Sequence, residues 1–119
     1  MQLQRKYTTS IVWDREESIR CDQDVLGFAE DSQYRPHPDT TITLMRAPKG
    51  ETMVELIRSD AFETGFYSIG MEVEDMDEAM ATLKARGAKI LAEPAPTLVG
   101  SCAFIQDVNG VNIALVHHA

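Results

Sequence analysis

Ile69-Gly70-Met71-Glu72-Val73-Glu74-Asp75-Met76-Asp77-Glu78-Ala79 is the stretch on which the fold turns. Tyr67 to Val73 reads as a strand, and Asp75 to Arg86 as a helix whose Met76, Ala79, Met80 and Leu83 form an apolar stripe at three- and four-residue spacing. Gly87 closes that helix. The same order occurs earlier, where Ile11-Val12-Trp13 leads into Asp14-Arg15-Glu16-Glu17-Ser18 and then Val25-Leu26-Gly27-Phe28. Asp14 is placed to cap a helix, with Glu16 and Glu17 in the first turn where the helix dipole favours anions. An offset of 61 residues sets Asp14 on Asp75 and Tyr7 on Ser68. The closing strands, Thr52 to Arg58 and Val111 to His117, align two residues tighter and set Glu55 against Ala114. A repeat of this kind predicts two copies of one supersecondary unit.

Working outward, Tyr7 to Trp13 is rich in Thr, Ile and aromatic residues and reads as the first strand. Ile19, Val25 and Leu26 recur at spacings that can share a helical face, although the polar interval Cys21-Asp22-Gln23-Asp24 weakens the stripe, and Gly27 is a natural helix stop. Phe28 to Tyr34 reads as a short edge strand, Arg35-Pro36-His37-Pro38-Asp39 as a turn, and Thr40 to Arg46 with Thr52 to Arg58 as a hairpin across Ala47 to Glu51. In the second half, Ala88 to Ala92 is a short strand and Glu93 to Gly100 a Pro-containing loop. Ser101 to Gln106 and Val111 to His117 form a hairpin across Asp107-Val108-Asn109-Gly110. The expected fold is α+β, one domain over residues 1–119 with a βαβββ module at about 5–58 and another at about 66–117. A four-stranded sheet with one helix covers a single face. Two such units side by side can form one curved mixed sheet around a concave cavity, with the helices outside.

The composition narrows the class. At 119 residues, 44% apolar and 25% charged, the chain is that of an ordinary globular domain. Its apolar runs fall far short of the about eighteen residues a membrane span needs, and the start at Met1 has no leader pattern. A cytoplasmic location is expected. The net charge of −8 argues against nucleic acid, which attracts basic patches. Cys21 and Cys102 lack partners in sequence and read as free, partly buried thiols. The methionines near the second helix read as core filling.

Asp14-Arg15-Glu16-Glu17-Ser18-Ile19 with Asp24-Val25-Leu26-Gly27-Phe28, and Val73-Glu74-Asp75-Met76-Asp77-Glu78-Ala79, Leu83-Lys84-Ala85-Arg86-Gly87 with Phe104-Ile105-Gln106-Asp107-Val108-Asn109-Gly110, carry a resemblance. Taken in order and doubled, they resemble the vicinal oxygen chelate superfamily, which includes glyoxalase I, methylmalonyl-CoA epimerase, extradiol dioxygenases and the fosfomycin and bleomycin resistance proteins. The resemblance implies four metal-ligand positions, two per module, which here are Tyr7, Glu55, Ser68 and Ala114. Only Glu55 is a usual ligand type. Because Tyr7, Ser68 and Ala114 occupy the other three, no cofactor and no divalent metal are expected. A second departure is Cys21-Asp22, where many relatives carry an aromatic pair; it either repacks the helix or alters a pocket or subunit contact. The family also implies a homodimer.

Strand alternation puts Tyr7, Thr9 and Ile11 on one face, Ser68, Gly70 and Glu72 on its counterpart, and Met53, Glu55, Ile57 and Asn112, Ala114, Val116 on the closing strands. The expected ligand-binding set is Tyr7, Thr9, Met53, Glu55, Ser68, Glu72, Asn112 and Ala114, a mixed surface suited to a small organic molecule. Glu55, between Met53 and Ile57, is the candidate general base, since an apolar setting raises a carboxyl; a solvated strand Glu is the plainer account. Tyr7 is the candidate hydrogen-bond donor to a ligand carbonyl, against a half-buried aromatic that only packs. Glu72 is also explained as a rim residue, and His117 and His118 as a terminal pair without partners. Three functions remain open: a non-metal protein binding a small organic molecule, a lyase or isomerase of the lactoylglutathione lyase or epimerase kind using Glu55 with or without a metal, and a module whose cavity its own side chains fill.

Overall fold

The computed structural model describes residues 1–47 and 52–119. Its elements run β1 (Gln4–Val12), α1 (Arg15–Asp24), β2 (Ala29–His37), β3 (Thr40–Arg46), β4 (Met53–Arg58), β5 (Gly65–Glu72), α2 (Met76–Ala85), β6 (Lys89–Thr97), β7 (Gly100–Gln106) and β8 (Asn112–His118). The βαβββ order occurs twice, and the class is α+β. By contacts the chain divides into Tyr7–Tyr67 and a unit made of Met1–Lys6 with Ser68–Ala119. The two division points, Tyr7 and Ser68, are a pair related by the internal repeat.

In the first unit the strands lie in the order β2-β3-β4-β1. β1 runs parallel to β4, with Tyr7 opposite Met53, Thr9 opposite Glu55 and Ile11 opposite Ile57; β3 is antiparallel to β4 and to β2. Alternation turns Met45 and Leu56 toward α1, where they pack with Ile19 and, at the margin, Val12, Phe28 and Val54. Tyr7, Thr9, Ile11, Met53, Glu55, Ile57, Ile42 and Leu44 therefore lie on the face that α1 does not cover.

The second unit repeats the plan in the order β5-β8-β7-β6, with β5 parallel to β8. Its core gathers Met76, Ala79, Met80 and Leu83 from α2 against Val73, Ala103, Ile105 and Leu115, with Met71 and Ile113 alongside. Burying a side chain the size of Leu115, which is fully enclosed, stabilises the fold by about 1.5–3 kcal/mol. Gly70 stands opposite Ala114 as Thr9 stands opposite Glu55. The ladders thus independently reproduce the tighter alignment of the closing strands and make Ala114 the equivalent of Glu55.

The helix starts follow from the capping acids. Asp14 Oδ1 accepts from the Glu17 amide at 3.1 Å and Asp75 Oδ1 from the Glu78 amide at 3.0 Å, each satisfying one of the donors a helix leaves open. Past both helices a glycine takes a left-handed conformation, Gly27 at φ 73° and Gly87 at φ 84°, where a Cβ would be strained.

Several local expectations are corrected. Val25 and Leu26 are 74% and 54% exposed, because α1 ends at Asp24 and the chain turns away from the apolar face before reaching them. Trp13 lies beyond β1 and is exposed, its ring 5.6 Å from the Arg58 guanidinium carbon. Arg35-Pro36-His37 is not turn but the end of β2, and only Pro38 and Asp39 form the turn. Likewise Glu93 to Thr97, with Pro94 and Pro96, extends β6 rather than forming a loop. The cause is the same in both places. β2 and β6 end the strand orders of their units, and register shifts lie between Tyr34 and His37 and between Ala92 and Ala95; a proline lacks a ladder donor and is tolerated at such irregularities. The two cysteines do not form a disulfide; Cys21 is exposed and only Cys102 is partly buried. From residue 48 on, the connection expected across Ala47 to Glu51 lies outside the described residues. Among the described residues no helix is long and apolar enough to cross a membrane.

Candidate functional site

The helix-free face of the first unit places its polar groups among apolar neighbours. Parallel pairing brings Thr9 beside Glu55, and the Thr9 hydroxyl donates to Glu55 Oε1 at 2.8 Å. Around them Tyr7 and Ile11 are buried at 7% and 2% exposure, while Met53 and Ile57 flank Glu55 along β4 and are half-buried. Burial pushes the Glu55 carboxyl above its ordinary value, and the Thr9 hydroxyl offsets part of that rise by stabilising the ionised form. Such a carboxyl can take up a proton, or in its acid form donate a hydrogen bond, nearer neutrality than a solvated glutamate does.

In the second unit Ser68 is buried on β5, Gly70 and Ala114 face each other across the β5–β8 ladder, and Phe104 of β7 stands opposite Ala114. This face has small side chains where the first unit has Thr9 and Glu55. Asn112 begins β8 and accepts from Gln106 Nε2 at 3.2 Å, which ties it to the adjoining turn. Glu72 is an ion-paired residue: its Oε2 lies 3.3 Å from Lys6 Nζ and 3.3 Å from His118 Nδ1. Desolvation, which would raise its carboxyl, is outweighed by the hydrogen bonds and charges of Lys6 and His118, so the group sits below its ordinary value.

The expectation that His117 and His118 lack partners is therefore corrected. His118 engages Glu72, and His117 Nδ1 lies 3.3 Å from the Val73 carbonyl. Alternation along β8, carried two residues past Val116, puts His118 on the face of Ala114; no pattern in the sequence could bring Lys6 to Glu72. Tyr7, Thr9, Met53 and Glu55 are thus gathered on one sheet face, and Ser68, Glu72 and Ala114 on the corresponding face of the other unit. A cleft of about 430 Å³ lined by Met1, Gln2, Val73, Glu74, Asp75 and Glu78 contains none of them.

The metal chemistry implied by the resemblance can be tested on the donors themselves. Tyr7, Glu55, Ser68 and Ala114 offer a phenol, one carboxylate, a hydroxyl and a methyl group, and this set does not fit a divalent ion, which needs several converging nitrogen, oxygen or thiolate donors. Among the described residues no three His, Cys, Asp or Glu side chains come together as a metal site.

Comparison with known proteins agrees with this geometry. No curated protein matches the chain in sequence. A hypothetical protein of Bacillus halodurans C-125 superposes with a TM-score of 0.84 at 17% identity, over 100% of this chain and 96% of its own. Methylmalonyl-CoA epimerase from Mycobacterium tuberculosis superposes with a TM-score of 0.82 at 20% identity, over 98% of this chain and 88% of its own. A variant of the Streptomyces coelicolor methylmalonyl-CoA epimerase, in complex with 2-nitronate-propionyl-CoA, gives 0.79 at 17% identity over 99% and 96%. At these identities the likeness speaks for the fold. The family model of the Glyoxalase/Bleomycin resistance protein/Dioxygenase superfamily matches residues 8–104, a span that takes in both capped helices and the Thr9–Glu55 pair. With the doubled βαβββ plan and its paired registers, that match establishes that the chain belongs to the Glyoxalase/Bleomycin resistance protein/Dioxygenase superfamily.

Proposed function

We propose that this chain binds a small, partly apolar organic molecule against the helix-free face around Glu55, and that it does so without a divalent ion. The observation that carries the proposal is the Thr9–Glu55 pair, a single carboxyl set among Tyr7, Ile11, Met53 and Ile57 and pushed upward by burial. Apolar walls with a few convergent polar groups are what a small-molecule site requires. In this proposal Glu55 meets a polar atom of the ligand, Thr9 orients the carboxyl, and Met53 and Ile57 supply the apolar contact.

A second reading is favoured by the same raised carboxyl and by the names of the epimerase neighbours. Glu55 would remove a proton beside a thioester or ketone carbonyl and return it, while a hydrogen-bond donor such as the Tyr7 hydroxyl holds the charge on the enolate oxygen.

Native mass spectrometry of the purified protein, with metal analysis on the same sample, tests the binding proposal. The expected result is retention of an organic molecule, or its uptake from a mixture of small acids, ketones and thioesters, with no stoichiometric divalent metal. A tight, stoichiometric ion whose addition creates turnover would overturn it. Solvent-deuterium incorporation into thioesters and ketones tests the second reading: exchange in the wild type that is lost in Glu55→Gln favours proton transfer, and exchange that survives the substitution rules it out.

A further inference from the structure

The helix-free face of the second unit carries a polar cluster that the reading around Glu55 leaves unused. Lys6 of β1, Glu72 of β5 and His118 of β8 meet at one point, both cationic side chains reaching the same oxygen, Glu72 Oε2, at 3.3 Å. Their side chains are 31%, 35% and 36% exposed, open to a solute yet partly withdrawn from water. Glu72 keeps its charge, since Lys6 and His118 hold its carboxyl below the ordinary value. One anion thus faces two potential cations. With His118 protonated the cluster carries one surplus positive charge, in a chain whose net charge is −8.

The remaining donors make the cluster more than an ion pair. A carboxylate bonded to Nδ1 orients the imidazole and leaves Nε2 as its other polar atom. A lysine ammonium has three protons, of which Glu72 takes one. Among the described residues neither the Lys6 ammonium nor the His118 ring makes a further hydrogen bond. On this face Glu72 is paired with Val116 across the β5–β8 ladder, and the next pair along it is Gly70 and Ala114, whose side chains occupy little space.

We propose that Lys6 and His118, held in place by Glu72, form a subsite for an oxyanion, the carboxylate or phosphate of a small molecule. The oxyanion accepts one hydrogen bond from the Lys6 ammonium and one from Nε2–H of the imidazolium, both charge-assisted. Glu72 is a positioning residue that keeps Nδ1–H engaged. In this arrangement the ring donates from both nitrogens, Nδ1–H to Glu72 and Nε2–H to the oxyanion. The charged groups facing His118 are Glu72 and Lys6; across the β7–β8 ladder it meets Gly100, which has no side chain. The proposal does not depend on Glu55.

The test uses the full chain uniformly labelled with 15N. Acetate and methyl phosphate are titrated separately against chloride at matched ionic strength, following the ring signals of all three histidines. The expected result is a saturable shift of His118 in the millimolar range, with His37, exposed at the end of β2, and His117, turned to the Val73 carbonyl, as internal controls. A response to acetate only identifies a carboxylate subsite; a response to methyl phosphate only identifies a phosphate subsite. Read from the Gly70 and Ala114 amides, Lys6→Met and His118→Gln each weaken binding by about tenfold or more. The charge-matched Lys89→Met at the start of β6 leaves it unchanged. Unaltered amide signals of Ala103 and Leu115, in the core of the second unit, show that it remains folded in the variants. A shift that chloride reproduces, that fails to saturate, or that is as large at His37 overturns the proposal.

Discussion

Glu55→Gln is expected to stabilise the protein at neutral pH, although it removes a charge from the candidate site. The substitution keeps the side chain's shape and an oxygen able to accept the Thr9 hydroxyl, whose bond to Glu55 Oε1 is 2.8 Å long. What it removes is the cost of holding a carboxylate beside Tyr7, Ile11, Met53 and Ile57. That cost is several kcal/mol for a fully buried ion, and one hydrogen bond to a charged group returns about 1.5–3 kcal/mol. Because Glu55 keeps partial contact with water, the net penalty is on the order of 1 kcal/mol, which for a domain of this size corresponds to about 3–5 °C in Tm. The sign follows from the direction of the shift. A carboxyl raised in the folded state binds its proton more tightly there than in the unfolded chain, so the wild type loses stability as the pH climbs from the ordinary glutamate value of 4.5 through the raised folded value. The advantage of Gln is therefore full above that window and absent below it. Urea denaturation of both proteins at pH 8 and pH 4 reads the effect directly. A Glu55→Gln protein less stable than wild type at pH 8, or a difference unchanged at pH 4, would refute the assignment of a desolvated carboxyl.

Three further outcomes test the scaffold. Asp14→Ala and Asp75→Ala each remove a capping acceptor that lies within 3.1 Å and 3.0 Å of its amide; each is expected to cost about 1 kcal/mol, with faster hydrogen exchange confined to the first turn of the helix concerned. Leu115→Ala opens a cavity where β8 meets α2, at a side chain with 0% exposure, and should lower unfolding free energy by about 2–5 kcal/mol in denaturant titration. A Cβ at Gly100 would stand 1.8 Å from the His117 carbonyl oxygen, so Gly100→Ala is expected to cost about 1–3 kcal/mol or more and to perturb the amides of His117 and His118 first. A neutral result at Gly100 would mean that β7 and β8 are not as close there as described.

The lesson of the chain lies in what its residues could and could not announce. Strand and helix periods, the capping acids and the two glycines are local signals, written within one turn or one ladder step, and from them the sequence by itself determined two βαβββ units. It also determined their equivalence down to the pairing of Glu55 with Ala114, because alternation on a strand carries a side chain's face along unaltered. The true lengths of β2 and β6 were hidden, since prolines ordinarily end a strand and only their place at the end of each unit's strand order makes Pro36, Pro94 and Pro96 tolerable. The exposure of Val25 and Leu26 was likewise hidden, because apolar spacing cannot say where a helix stops touching its sheet. Only the tertiary structure decided the chemistry of individual groups. It set the Thr9 hydroxyl on Glu55 across 46 residues of chain and His118 on Glu72 across another 46. A proton's affinity depends on burial and on the nearest charge, and both are properties of neighbours in space.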